Sequence, residues 1–139
     1  MTSSIIQDLT DRREITDLVS RLGLWLDEKR FDEGRTILTE DVTVATPGGS
    51  AQGVDSVAAQ ARRNHDVDDL QHVIANVLID LDGDRADVRA NLIATFVPHA
   101  DAPASRVARG ERYRFEAVRT PQGWRLSRVD VRPVWSSAA

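Results

Sequence analysis

The order of helical and strand patterns along the chain predicts an α+β fold. Three helical segments, one of them after a first short strand, precede four long segments with the period of strands. This order is typical of helices packed in the concave face of a strongly curved, mostly antiparallel sheet. A sheet curled around its helices forms a cone-shaped α+β barrel, and we expect its apolar interior to contain a pocket.

Size and composition predict a single domain, residues 1–139. The chain has 41% hydrophobic and 29% charged residues and no linker-like tract. Its net charge of −4 lacks the basic footprint of proteins that bind nucleic acids or anionic membranes. Cysteine is absent, which excludes disulfides, thiolate metal sites and cysteine nucleophiles. Since no signal-peptide pattern or membrane-length apolar run is present, we expect a cytoplasmic protein with no nucleic-acid or membrane partner.

Helical periodicity marks three segments in the first half of the chain. Ile5–Glu28 carries apolar residues at three- and four-residue spacing, with Ser4 as the candidate N-cap. Phe31–Leu38 is predicted to be a short helix and Val54–Asn64 a third helix. Between these two, Val42–Thr46 is predicted to be a strand, because it is rich in β-branched residues and ends at a Pro-Gly-Gly turn.

Four segments with strand patterns fill the second half. Leu70–Asp80 is rich in β-branched residues and is predicted to be a central strand; an Asp-Gly-Asp turn after it indicates a hairpin. Ala86–Val97, Arg109–Arg119 and Trp124–Trp135 follow as antiparallel strands. Because alternate residues of a strand share a face, the pattern also predicts which side chains point the same way. These sets are His72, Ile74, Asn76 and Leu78; Glu111, Tyr113 and Phe115; and Trp124, Leu126, Arg128, Asp130 and Arg132.

The whole arrangement resembles the nuclear transport factor 2-like superfamily, and its SnoaL-like branch in particular, from Ile5 to Trp135. Four features in the same order and spacing carry the resemblance. They are the Leu26-Asp27 pair that closes the first helix, the Gly53-Val54-Asp55-Ser56-Val57 entry to the third helix, the strand with His72 and Asn76, and the last hairpin around Thr120-Pro121-Gln122-Gly123-Trp124.

Two enzymes of that superfamily, scytalone dehydratase and hexachlorocyclohexane dehydrochlorinase, carry an Asp–His dyad at corresponding places. Asp27 and His72 match the acid at the end of the first helix and the histidine on the first long strand, and Arg128 matches a basic residue of the dehydrochlorinase. The second histidine of the dehydratase and the pocket lysine of the dehydrochlorinase have no counterpart. The resemblance implies a cofactor-free lyase or isomerase, dehydratase-like or polyketide cyclase-like, that acts on a small apolar or polycyclic molecule.

The matching residue types suit proton transfer. An imidazole exchanges protons near neutral pH, and a carboxylate bonded to one ring nitrogen stabilises the imidazolium. We therefore predict that His72 is a general base, that Asp27 orients it, and that Arg128, or the hydroxyl of Tyr113, stabilises negative charge on the substrate. The residues predicted to bind the substrate are Trp25, Asn76, Tyr113 and Phe115.

Other interpretations stay open. The same fold can serve as a non-catalytic module that binds a small ligand, or as an oligomerisation module. His65 and His72 have acids between them, but no metal-binding spacing is present, so we predict no metal and no cofactor. The outer sheet face is apolar enough to predict a homodimer through the sheet. Its apolar residues are Val73, Ala75, Val77, Ile93 and Val118.

Overall fold

The computed structural model describes residues 2–138 of the chain, with side chains from residue 4 onward. Its elements, in chain order, are α1 (Thr2–Asp27), a 3₁₀ helix (Phe31–Thr36), β1 (Leu38–Thr46), β2 (Gly49–Gln52), α2 (Val54–Asn64), β3 (Asp69–Asp82), β4 (Arg85–Val97), β5 (Val107–Thr120) and β6 (Gly123–Ser136). None of the described helices is long and apolar enough to cross a membrane.

The strands form one curved, unclosed sheet with the order β2-β1-β6-β5-β4-β3. The β1–β6 pair is parallel, and the other neighbouring pairs are antiparallel. The helix α1 contacts β3 and β6, while α2 contacts β1 and β2. The predicted α+β class, with N-terminal helices on a mostly antiparallel sheet, is confirmed.

The core lies between α1 and the inner face of the sheet. One stripe of α1 is buried at the spacing that the sequence predicts, from Ile15 through Leu22 to Trp25. Trp25 packs edge-on against Phe31 of the 3₁₀ helix, with ring centroids 5.5 Å apart. Each large apolar side chain removed from water contributes about 1.5–3 kcal/mol, so this stripe fixes α1 across the sheet. Strand residues buried beneath it include Val88, Leu92, Phe115 and Leu126.

The pairing of β3 with β4 is irregular around Asn76, and this changes which residues face inward. Asn76 has a left-handed backbone, with φ 58°, a conformation that asparagine adopts more readily than most residues. His72 and Ile74 precede the irregularity and face inward as predicted. After it, Val77 is half-buried and Leu78 is exposed. The predicted shared face is therefore wrong beyond Ile74, because the bulge interrupts the period of two.

A second bulge lies in β6, opposite β5. Leu126 is buried as predicted, but Ser127 is an extra residue in the ladder, and Val129 is the next buried side chain. Arg128 lies on the outer face with Asp130, so the prediction that both share a face with Leu126 is wrong.

Several element boundaries also differ from the predictions. The helix α1 begins at Thr2, so Ser4 lies inside it and is not its N-cap. The short second helix is a 3₁₀ helix, and β1 begins earlier than predicted, at Leu38. The strand Gly49–Gln52 was not predicted, because its glycine and serine suggest a turn. Val54–Asn64 is helical as predicted.

Candidate active site

The last turn of α1 is closed in a way that places Asp27 next to β3. Lys29 has a left-handed backbone, with φ 54°. Its N–H donates to the carbonyl of Leu26 at 3.2 Å, and the N–H of Arg30 donates to the carbonyl of Trp25 at 2.9 Å. These are the two bonds of a Schellman motif, which satisfies the last carbonyls of the helix. From this turn the side chain of Asp27 reaches β3.

Asp27 binds His72 through three hydrogen bonds. The ring Nδ1 of His72 lies 2.6 Å from Oδ1 of Asp27. The backbone N–H of His72 donates to both carboxylate oxygens, at 3.0 and 2.9 Å. These bonds compensate for an acid at the unfavourable, C-terminal end of the helix dipole. Because an ionised carboxylate only accepts hydrogen bonds, Nδ1 carries the proton and Nε2 keeps its lone pair.

His72 forms part of the wall of a cavity of about 310 Å³ between the helices and the sheet. Its side chain is only 3% exposed, and that of Asp27 is 18% exposed. The apolar part of the wall includes Leu22, Trp25, Leu92, Phe96, Val129 and Val131. The polar part includes Gln60, Asn64, His65, Arg109, Glu111 and Tyr113. A largely apolar hollow with a few polar groups is the usual form of a small-molecule site.

Two of the residues predicted to bind substrate contribute to this wall. Trp25 is buried, and its indole Nε1 has no hydrogen-bond partner within residues 2–138. Such a donor costs free energy unless a ligand or water accepts its hydrogen bond. Burial raises the pKa of Tyr113, so its phenol stays neutral and able to donate.

A second histidine, His65, lines the cavity, although its spacing in the sequence suggested no role beyond a metal ligand. The ring of His65, at the end of α2, has its centroid 5.4 Å from that of His72. Its Nδ1 lies 2.7 Å from the carbonyl of Ala61, which can only accept, so this nitrogen also carries the proton. Burial lowers the pKa of His65, which keeps the ring neutral near pH 7. Among the described residues, no group of three His, Cys, Asp or Glu is placed to hold a metal ion.

Glu111 was missed as a site residue, although the alternation of β5 placed it on the same face as Tyr113. Burial raises the pKa of Glu111, and the positive charge of Arg109 opposes the rise, as does the imidazolium form of His72. The guanidinium of Arg109 lies over the ring of Phe96, 5.3 Å from its centroid. A charged residue in a strand usually indicates a solvated face, so the sequence offered no sign that this carboxyl group lines a cavity.

Three other predicted site residues lie outside the cavity wall. Asn76 is exposed on the outer face of the sheet, where the side-chain amide of Asn91 donates to it at 3.4 Å. Arg128 is 53% exposed and donates to Asp130 at 2.8 Å on the same outer face. The bulges in β3 and β6 turn these two side chains away, which corrects their predicted roles. Phe115 is fully buried in the core, and its ring packs 4.7 Å from that of Tyr113.

Comparisons with known proteins identify the family and the fold of the chain. A family model described as a SnoaL-like domain matches residues 7–130. The Kfla4162 protein of Kribbella flavida is 27% identical, with a TM-score of 0.85 over 94% of this chain and 95% of that one. A putative scytalone dehydratase from Novosphingobium aromaticivorans is 20% identical, with a TM-score of 0.84 over 100% and 92%.

A third solved structure is the hexachlorocyclohexane dehydrochlorinase LinA-type3 from Novosphingobium barchaimii. It is 18% identical, with a TM-score of 0.81 over 95% of this chain and 92% of that one. At such identities the dehydratase and the dehydrochlorinase show a common fold alone. A search of curated proteins found no match.

Proposed function

The chain belongs to the SnoaL-like domain family, with the fold of nuclear transport factor 2-like proteins, and from this we propose that it is a cofactor-free lyase or isomerase. Its substrate is a small apolar or polycyclic molecule held in the cavity. His72 removes a proton from a carbon atom of that molecule through Nε2. The observation that carries the proposal is the 2.6 Å contact between His72 and Asp27 at the cavity wall.

The geometry supports His72 as the base for two reasons. Asp27 occupies Nδ1, so the only free ring nitrogen is Nε2, and its negative charge stabilises the imidazolium that forms. The buried setting also strengthens this electrostatic effect relative to water. Dehydratase-like elimination, isomerisation and polyketide cyclase-like ring closure can all begin with the same proton removal.

Negative charge that develops on the substrate needs a donor inside the cavity. Arg128 points away from it, so we assign this role to the neutral phenol of Tyr113. A hydrogen bond aimed at a developing oxyanion is worth most in a site that excludes water.

The base can be tested before the natural substrate is known. In 5-nitrobenzisoxazole, removal of the C3 proton breaks the ring N–O bond and gives the coloured 2-cyano-4-nitrophenolate. We expect the wild-type protein to open this ring and His72→Ala to lose roughly 100-fold or more of the rate, as typical for loss of a general base. His99→Ala, which removes an exposed loop histidine, is the matched control and should keep the wild-type rate. Full activity in His72→Ala would contradict the proposal.

A non-catalytic ligand-binding module is the second candidate, and the free indole N–H of Trp25 favours it. A donor at the wall of an apolar cavity can bind a ligand oxygen without any reaction. Recovery of a co-purified ligand, unchanged after long incubation with the protein, would support this candidate against the enzyme.

We also propose a homodimer through the outer face of the sheet, together with the cytoplasmic location expected from the sequence. Val73, Ile93, Gly110 and Trp135 are neighbours across four strands, and the three large side chains are about half exposed. Val77, predicted to belong to this patch, faces inward. Light scattering should give the mass of two chains for the wild type and of one chain for Ile93→Arg. A monomeric wild type would refute the dimer.

A further inference from the structure

Glu111 lines the cavity but has no part in the proton removal proposed for Asp27 and His72. It faces the same hollow as His72, from the next strand but one. On β4, Leu92 pairs with Glu111, and its neighbour on the same face, Ala94, pairs with His72. The two groups are therefore offset both across and along the sheet.

Strand geometry sets the scale of this offset. With strands about 4.8 Å apart and a rise of about 3.3 Å per residue, the Cα atoms of His72 and Glu111 lie about 12 Å apart. Side chains on one face of a sheet project in roughly the same direction, so the imidazole and the carboxyl group enter the hollow at separate places. A small ring can lie between them, with the base at one side and the carboxyl group at the other.

The elements around Glu111 leave its carboxyl group without a fixed partner. Within residues 2–138 no ion pair or hydrogen bond holds it. On its own strand, Arg109 is engaged with the ring of Phe96, and Tyr113 is neutral. The apolar side chain of Leu92 lies beside it on β4.

The other titratable groups that face the hollow come from the helices and from β3. Asp27 is bonded to His72, and the buried ring of His65 stays neutral near pH 7. Burial raises the pKa of Glu111 despite Arg109 and His72. A carboxyl group with a raised pKa, lining the same cavity as a base, is the arrangement expected where one group takes a proton and the other gives one.

We propose that Glu111 is the proton donor of this site and that the substrate carries an oxygen leaving group on the side facing β5. This inference rests on the proposed role of His72. Nε2 of His72 takes a proton from carbon, and the electrons of that C–H bond form a double bond to the neighbouring carbon. The C–O bond on that carbon breaks, and Glu111 gives its proton to the departing oxygen, so a hydroxyl group leaves as water.

The cycle closes without a co-reactant. The proton held by the His72 imidazolium returns through solvent to the Glu111 carboxylate, and both groups regain their starting states. A halide leaves as a stable anion and needs no such donor. The substrate class assigned here is therefore a small ring with a hydroxyl or ether oxygen beta to an acidic C–H bond.

Two ring-opening probes separate the donor from the base. Both 5-nitrobenzisoxazole and unsubstituted 1,2-benzisoxazole need His72 to remove the C3 proton. Only the unsubstituted probe leaves as a basic phenoxide that gains from protonation. For Glu111→Gln we expect the rate on the unsubstituted probe to fall about 100-fold, and the rate on the nitro probe to stay within about threefold. Glu116→Gln, on the outer face of the same strand, is the matched control and should change neither rate.

A titration of the Glu111 carboxyl carbon by NMR gives a readout that needs no turnover. We expect it to titrate above the usual glutamate pKa of about 4.3. An ordinary pKa, or an equal loss of rate on both probes, overturns the proposed donor. If neither probe opens faster than with His72→Ala, the base assigned to His72 fails, and the titration alone then decides whether Glu111 holds a proton to give.

Discussion

Two aspartates of α1 reach the sheet, and their different partners give them different capacities. Both guanidinium NH groups of Arg119 donate to the carboxylate of Asp11 at 2.8 Å, and Nε1 of Trp124 donates to it at 3.1 Å. Arginine keeps its charge at every accessible pH, so this ion pair persists wherever Asp11 is ionised. Asp27 instead binds His72, which can gain and lose a proton near neutral pH.

The environments of Asp11 and Asp27 differ in the same way as their partners. Asp11 is 3% exposed, and the hydrogen bonds from Arg119 lower its pKa to about 2 although burial opposes the shift. The guanidinium of Arg119 also lies 4.8 Å from the ring centroid of Trp124. Asp11 is enclosed by its partners, whereas the ring beside Asp27 forms part of a cavity wall. A buried carboxylate with a fixed cation anchors a helix, while one with a titratable partner beside a hollow can support proton transfer.

The largest expected effect is on catalysis, in Asp27→Asn. An asparagine keeps one acceptor oxygen for the Nδ1 and backbone N–H groups of His72, but its amide NH2 replaces the second acceptor and it brings no negative charge to stabilise the imidazolium. We expect the opening rate of 5-nitrobenzisoxazole to fall about 100-fold, while the free energy of unfolding in urea changes by less than about 1 kcal/mol. A rate near that of the wild type would contradict the conclusion that Asp27, unlike Asp11, supports proton transfer.

The next effect is on stability, in Asp11→Asn. The substitution removes the buried counter-charge of Arg119, whose Nε still donates to Asp84 at 2.7 Å, so we expect the free energy of unfolding in urea to fall by about 1–2 kcal/mol. The opening rate per folded molecule should stay within about twofold. Loss of activity without loss of stability would show that Asp11 has a role in the site.

Acid titration sharpens the same comparison. The pKa of Asp11 is lower in the folded protein, at about 2, than in the unfolded chain, so its ionisation stabilises the fold. This contribution is complete above about pH 4 and is lost as the pH falls toward 2. We therefore expect the difference in unfolding free energy between wild type and Asp11→Asn to shrink over this interval. A constant difference would contradict the ion pair.

The last expected effect concerns the bulge in β3, which lies between two contacts of this strand with α1. Asn76 lies between His72, which meets Asp27, and Ile79, whose carbonyl accepts from Arg12 at 2.9 Å. Since Asn76 has a positive φ, we expect Asn76→Val to destabilise the protein by about 1–2 kcal/mol. Asn76→Gly should be neutral or slightly stabilising. Equal melting temperatures for these two variants would exclude backbone strain at this position.

Periodicity in the sequence predicts the fold class, and the resemblance to the SnoaL-like branch implies the Asp27–His72 contact. Both residues lie where regular periodicity still holds, so the elements that carry them are predicted correctly. Asp27 ends an uninterrupted helical stripe, and His72 precedes the bulge in β3. The sequence assigns Asn76 and Arg128 to the wrong face of the sheet. Each lies at or just after a bulge, and strict alternation along a strand does not account for the extra residue of a bulge.

His65 and Glu111 could not be assigned to the cavity from periodicity, because their positions depend on tertiary packing. His65 follows α2 in a segment rich in aspartate, which is typical of a solvated connection. Its burial depends on how α2 packs near Phe96 and His72. Glu111 alternates correctly with Tyr113, but whether that face is covered depends on the helices.

The most direct test of the account is the tautomer of the neutral His72 ring, measured from the ¹⁵N shifts of its two nitrogens. The contact with Asp27 predicts a proton on Nδ1, in a strong hydrogen bond, and an unprotonated Nε2. In Asp27→Ala this preference should weaken, because no acceptor remains for the Nδ1 proton. A wild-type ring protonated on Nε2 would contradict the assignment of His72 as a base held by Asp27.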